Sequence, residues 1–331
     1  MMPREKISMR PVDRIEILVV IDNVTDSLSS VPGFVTREWT VLRQKGMKLT
    51  AGASLCCANH GFSLLITAHR GASRHTMLFD GGPVDYAVER NGTRLGVDFS
   101  AVGAMMLSHG HWDHAGGLPQ AIRMVRAENG GRAVPLFLHP GMFFERGSRQ
   151  PDGGVFPMQS VPTPTEWTEI GAEPIVTDQP VSVLEEMFFI SDEIPRITEY
   201  ERGLPGQVRR VAPDQPWEPD ELLMDERFLA VHVAGKGIVV FSACSHAGII
   251  NVLTHAQRSF PGEKLHAVMG GLHLSGENEK IIPEAVRDIG GFGLELIIPA
   301  HCTGWRAVNA LERAYTEQVV VPAAVGKRFS L

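Results

Sequence analysis

Residues 104–118, Ala-Met-Met-Leu-Ser-His-Gly-His-Trp-Asp-His-Ala-Gly-Gly-Leu, bound what this chain can fold into. An apolar run from Ala104 to Leu107 stops at Ser108 and is short enough to be a buried strand. His109, His111, Asp113 and His114 then fall within six residues, in a chain with 13 histidines among 331 residues. At that density a chance cluster is improbable. Gly110, Gly116 and Gly117 are expected to give the loop its backbone freedom. Imidazole and carboxylate are the ligand types that Zn²⁺ and Fe²⁺ accept near neutral pH. His109 and His111 are two apart, so in an extended segment they point the same way. Asp113 and His114 follow on a turn and can face a second ion. Two metals ~3.5–4 Å apart are an arrangement used for hydrolysis.

The same pattern recurs along the chain. Apolar runs ending near Leu107, Leu138, Phe241, Met269 and Ile298 are each followed within a few residues by His109, His139, His246, His273 and His301. Ligands gather where strands end, so these sequence-distant groups can meet at one edge. His60, His69, His75, His232, His255 and His266 stand isolated and read as structural or solvent-facing.

The segment Ser-His-Gly-His-Trp-Asp-His-Ala-Gly-Gly-Leu resembles the His-x-His-x-Asp-His signature of the metallo-β-lactamase superfamily. That resemblance implies an α+β fold, a four-layer αββα sandwich with metal at one edge of two sheets. It implies metal ligands His109, His111, Asp113 and His114, with His246 completing the first site and His301 the second. Asp113, His246 and His273 are the candidate catalytic residues, and His273 is a rival ligand. Leu-Phe-Asp80-Gly-Gly resembles the family's first strand, whose Asp hydrogen-bonds near the metal loop. Many members place a bridging Asp, after Gly, between the third and last histidine motifs. No Gly-Asp stands there in this chain, which leaves Cys244, His246, His273 or water alone for that place. The segments at 59–66, 78–82, 244–251, 270–274 and 299–304 are similar to the subgroup of 7,8-dihydropterin-6-methyl-4-(β-D-ribofuranosyl)-aminobenzene-5′-phosphate synthases.

These readings give a metal-dependent hydrolase that uses activated water on an ester, lactone, amide or phosphoester of a small molecule. The alternatives are a bond-forming pterin-phosphate-type synthase and a metal-bearing binding protein without turnover. The cofactor is Zn, one or two ions, with Fe or Mn as substitutes. The substrate is a small molecule, phosphorylated or not, held by Arg146, Arg196, Arg202 or Arg209.

Composition narrows the rest. A net charge of −7 argues against nucleic acid as an obligatory partner. Four cysteines without repeated spacing suggest no disulfide framework and suit a reducing, cytoplasmic setting. No apolar span of about 18 residues predicts a membrane helix, and no signal peptide is evident. Residues 1–14 read as a mobile lead and 15–331 as one domain. Two long Pro- and Gly-rich stretches, 141–180 and 198–220, read as loop insertions, the second a lid.

Overall fold

The computed structural model describes residues 9–331. Its strands are built from β-branched and aliphatic runs whose alternate residues face opposite ways. In Arg14–Ile21, Ile15, Ile17 and Val19 face one core, while Val20 and Ile21 join another. The first sheet has eight strands. From edge to edge they are Val35–Thr36, Arg328–Ser330, Arg14–Ile21, Ser63–Arg70, Ser73–Phe79, Val102–Met106, Val134–Leu138 and Ala172–Val176. Pairing is antiparallel as far as Ser73–Phe79 and parallel from there through Ala172–Val176. The second sheet has six: Val181–Val183, Phe188–Ile190, Leu229–Val233, Gly237–Ser242, Leu265–Gly270 and Leu296–Pro299. Its last two joins are parallel.

Three apolar cores set the layers. Ile17, Leu64, Met77 and Met106 of the first sheet meet Leu229, Val231, Val239 and Phe241 of the second. The other face of the first sheet packs Leu78, Met105 and Leu136 against helices Asp85–Leu95 and Leu118–Glu128. The other face of the second packs Ala230, Val240 and Val268 against Ile249–Ser259, Ile282–Ile289 and Trp305–Val319. This is the αββα sandwich, each sheet buried between a helical layer and the other sheet. Among the described residues no helix is long and apolar enough to cross a membrane.

Three expectations need correction. Residues 1–8 of the N-terminal lead lie outside the described residues. In its remainder, however, Val12 is buried and bridges Val233, and the first strand starts at Arg14. The stretch 141–180 is not a loop. It holds strands Glu145–Arg149 and Val155–Pro157, helix Pro164–Ile170, and the edge strand Ala172–Val176 of the main sheet. Strands Gln207–Arg210 and Glu218–Pro219 come from 198–220 and pair with the first two of these into a separate four-stranded sheet. These strands are two to five residues long and carry Gly, Pro and Arg. They lack the alternation that marks a half-buried strand.

The segment before that sheet is tied down, not a free lid. Asn251 Oδ1 accepts hydrogen bonds from the Ile197 and Thr198 amides and the Thr198 hydroxyl. The Glu201 carboxylate accepts the Ile250 and Asn251 amides (2.8 and 2.9 Å), two of the orphan donors at the start of helix Ile249–Ser259. Burial pushes the Glu201 carboxyl up to about 7, although those amides pull it down. The folded protein therefore holds a proton there that the unfolded chain releases at lower pH. The resulting stability is present below the unfolded value and is lost as pH rises through about 7. Glu201→Gln removes this titration. By urea denaturation, the stability advantage of the wild type over the variant is expected to shrink by a few kcal/mol between pH 5 and pH 8.

Candidate metal centre

The parallel strand Val102–Met106 delivers its loop to the seam between the sheets, and Trp112–Ala115 forms one helical turn. The glycines of this loop serve close approach, not unusual torsions. Gly116 and Gly117 are both right-handed (φ −61° and −90°). A Cβ at Gly116 would lie 2.0 Å from the Pro83 carbonyl oxygen, and one at Gly117 2.2 Å from that of Gly81.

Two sets of donors converge. In the first, His109 Nε2 lies 3.0 Å from His111 Nδ1 and 3.2 Å from His246 Nε2. In the second, Asp113 Oδ2 lies 3.3 Å from His301 Nε2 and 3.8 Å from His114 Nε2. With metal–nitrogen bonds of 2.0–2.1 Å, the edge of a tetrahedral site is about 3.3 Å. His273 sits beside the first set, its ring 4.3 Å from that of His246. His139 stays apart. Its Nδ1 accepts the Gly141 amide and caps the short helix Pro140–Phe143.

The surrounding hydrogen bonds decide which ring nitrogens are bare. The Asp80 carboxylate only accepts, so the Ser108 hydroxyl donates to it at 2.8 Å. Ser108 Oγ in turn accepts from His109 Nδ1 at 2.9 Å, leaving His109 Nε2 as a lone pair. His114 Nδ1 donates to Asp80 at 2.7 Å, which turns its Nε2 inward. Asn23 Oδ1 is identified as oxygen because it accepts the Gly61 amide, and His301 Nδ1 donates to it at 2.9 Å. His301 Nε2 is then buried and faces the Asp113 carboxylate at 3.3 Å. Two acceptors at this distance repel unless a proton or a metal ion lies between them. The donor set fits divalent cations on this ground.

Burial together with the neighbouring histidines holds His109 well below the usual imidazole range, and burial with Arg146 brings His111 to about 3. Burial with His273 and His111 likewise holds His246 low. All three are neutral at pH 7, the form that binds metal. His114 moves the other way. Against the burial that opposes its charge, Asp113 and Asp80 push it up to about 9. Burial would raise the Asp113 carboxyl, but His114 and His301 hold it far below the usual carboxylate range.

Asp80, Ser245, His273 and His301 adopt left-handed torsions (φ 58°, 58°, 46° and 46°). Such strain is concentrated at functional sites.

No family model matches the chain. It is 25% identical over 267 residues, 78% of its length and 86% of the relative, to the 7,8-dihydropterin-6-methyl-4-(beta-D-ribofuranosyl)-aminobenzene-5′-phosphate synthase of Methanocaldococcus jannaschii. It is 27% identical over 256 residues, 77% of its length and 88% of the relative, to the uncharacterised protein MJ0448 of the same organism. Among solved structures it is similar to Tm1679, described as a metal-dependent hydrolase of the beta-lactamase superfamily. That match has a TM-score of 0.69 and 22% identity, covering 96% of this chain and 98% of the other.

The chain has the metallo-β-lactamase fold.

Several residues of this metallo-β-lactamase-fold centre escaped the sequence reading. Asn23 orients His301 from the loop after the first strand, and its place just past a strand end was the available signal. His60 is solvent-facing, as expected, and also lies with Nε2 3.5 Å from Asp113 Oδ2 at the mouth of the site. Gln207, buried on the separate sheet, brings its side-chain amide within 2.8–3.2 Å of His111 Nε2.

Of the four arginines offered as substrate holders, Arg146, Arg196 and Arg209 are engaged elsewhere, and Arg202 lines a small pocket with His246 and His273. Arg146 forks onto Asp225 (2.6 and 3.0 Å) and reaches Asp220 (2.8 Å), all buried. Arg196 donates to the Ile194, Leu222 and Leu223 carbonyls. Arg202 donates to the Glu199 carbonyl, and Arg209 pairs with Glu218 over the Phe144 ring. Arg146 instead locks the metal loop. Asp225 Oδ2 also accepts the Gly110 amide at 2.8 Å, and a Cβ at Gly110 would meet Arg146 Nη1 at 2.3 Å. Breaking a buried ion pair by removing one partner costs about 3–5 kcal/mol. Arg146→Met is expected to destabilise the protein by that amount in denaturant titration, because it strands two buried carboxylates.

Proposed function

We propose that the chain is a metal-dependent hydrolase of a small molecule. His109, His111 and His246 would hold one divalent cation and Asp113, His114 and His301 a second, with zinc best suited to nitrogen donors at this spacing. Such ions acidify water toward neutrality and polarise a carbonyl or phosphoryl oxygen. The chain's own groups supply the rest. Asp113 faces the cavity with an oxygen free to orient an attacking water. His273 lines the same cavity with an unpartnered Nδ1, placed to give a proton to a leaving group. The observation that carries the reading is the convergence of His109, His111 and His246, and of Asp113, His114 and His301, with donor separations of 3.0–3.8 Å.

The cavity, about 340 Å³, is walled by Trp112, Met158 and Leu204 around the histidines. Neither arginine nor lysine stands among its lining residues. That lining suits a small uncharged ester, lactone or amide, and Arg202, which shares a smaller pocket with His246 and His273, is the residue that would meet a phosphate. Likeness to the M. jannaschii synthase favours a second reading, a bond-forming reaction on a pterin-like phosphate.

His111→Ala is expected to lower bound metal, by elemental analysis, and to reduce turnover at least 100-fold on whichever chromogenic lactone or ester the wild type cleaves. Full metal content in that variant would sink the ligand assignment. A wild-type protein that cleaves no lactone, ester or amide but retains a pterin phosphate through purification would favour the second reading.

A further inference from the structure

Cys244 belongs to neither triad of the proposed reading, yet its position is shared by both. Its sulfur lies 3.3 Å from His114 Nε2, a nitrogen that the Asp80 hydrogen bond turns inward. The potential ligand atoms of His109, Cys244 and His246 all lie within 4.8 Å of one another, and so do those of His114, Cys244 and His301. One sulfur is therefore a member of both clusters. The backbone holds it there. The Gly271 amide donates to the Ala243 carbonyl at 3.0 Å, and a Cβ at Gly271 would lie 3.2 Å from Cys244 Cα. His301 Nε2 supplies the independent sign that a ligand belongs in this space, being buried and without a hydrogen-bond partner. Cys302 Sγ sits 3.3 Å from Cys244 Sγ, and with His273 it forms a further group around the same sulfur.

We propose that Cys244 is a ligand common to both cations, a sulfur bridge that makes the centre selective for thiophilic divalent metals. Thiolate donors favour zinc and similar ions over magnesium or calcium, which take oxygen. A thiol that ligates a metal gives up its proton to solvent, and no oxidant or reductant takes part. The inference rests on the reading of the two donor sets as cation sites.

The test loads metal-free full-length protein with Co²⁺ alone. It records the near-ultraviolet sulfur-to-cobalt charge-transfer band and counts cobalt per chain. Two cobalt ions with the band are expected in the wild type. Cys244→Ser should lose the band and bind the second cobalt at least tenfold more weakly. Cys244→Asp should restore two cobalt ions without the band, which also shows that the fold survives substitution. Cys302→Ser should keep both. Two cobalt ions without the band in the wild type, or a band that survives Cys244→Ser, overturns the bridge and leaves the cation sites standing. No bound cobalt overturns both.

Discussion

The buried Asp80 carboxylate is the interaction on which the centre turns. It accepts from the Ser108 amide, the Ser108 hydroxyl and His114 Nδ1 at 2.7–2.8 Å. One group thereby fixes the loop backbone, the orientation of His114 and, through the hydroxyl, the tautomer of His109. A ligand's outer hydrogen bond sets which nitrogen meets the metal. Asp80 itself is held in a left-handed torsion at the end of the strand Ser73–Phe79, and its carbonyl takes the Ser63 hydroxyl from the neighbouring strand. Sheet geometry is thus passed to two imidazoles without any flexible link.

Around this sits the separate four-stranded sheet, which does two things for the centre. Through Arg146 it neutralises the two acids that anchor Gly110 and the turn after Pro219. Through Gln207 it reaches the outward nitrogen of His111, and through the neighbouring Met158 and Leu204 it walls the cavity. A stretch rich in glycine and proline therefore behaves as a rigid cover. Its order comes from buried ion pairs and from the Asn251 and Glu201 anchors, not from a core of its own.

How much of this was legible follows from the range of the interactions. The loop 109–114 carries its ligand types side by side, so its chemistry was written locally. Long apolar strands and helices such as Arg14–Ile21 and Leu118–Glu128 declare their period within a dozen residues. The partners that orient the ligands do not. Gln207 meets His111 across 96 residues, Asp225 meets Arg146 across 79, and Asn23 meets His301 across 278. Nothing near Gln207 distinguishes it from any other polar residue on a short strand. Arg146 shows the same limit: its charge was evident, but the buried acids opposite it were not. Glycine in the metal loop was noted for torsional freedom, whereas contacts with Pro83, Gly81 and Arg146 are what exclude a larger residue.

Each donor triad draws two members from the chain before residue 115 and one from beyond residue 245. The cations would therefore act as rivets between two halves that also meet through apolar packing, the Asn23–His301 hydrogen bond and the pairing of Arg328–Ser330 with Arg14–Ile21. Anything that binds the native form alone deepens the native well in proportion to the logarithm of its saturation. Were both triads filled, ion binding would tighten the closure of the sandwich.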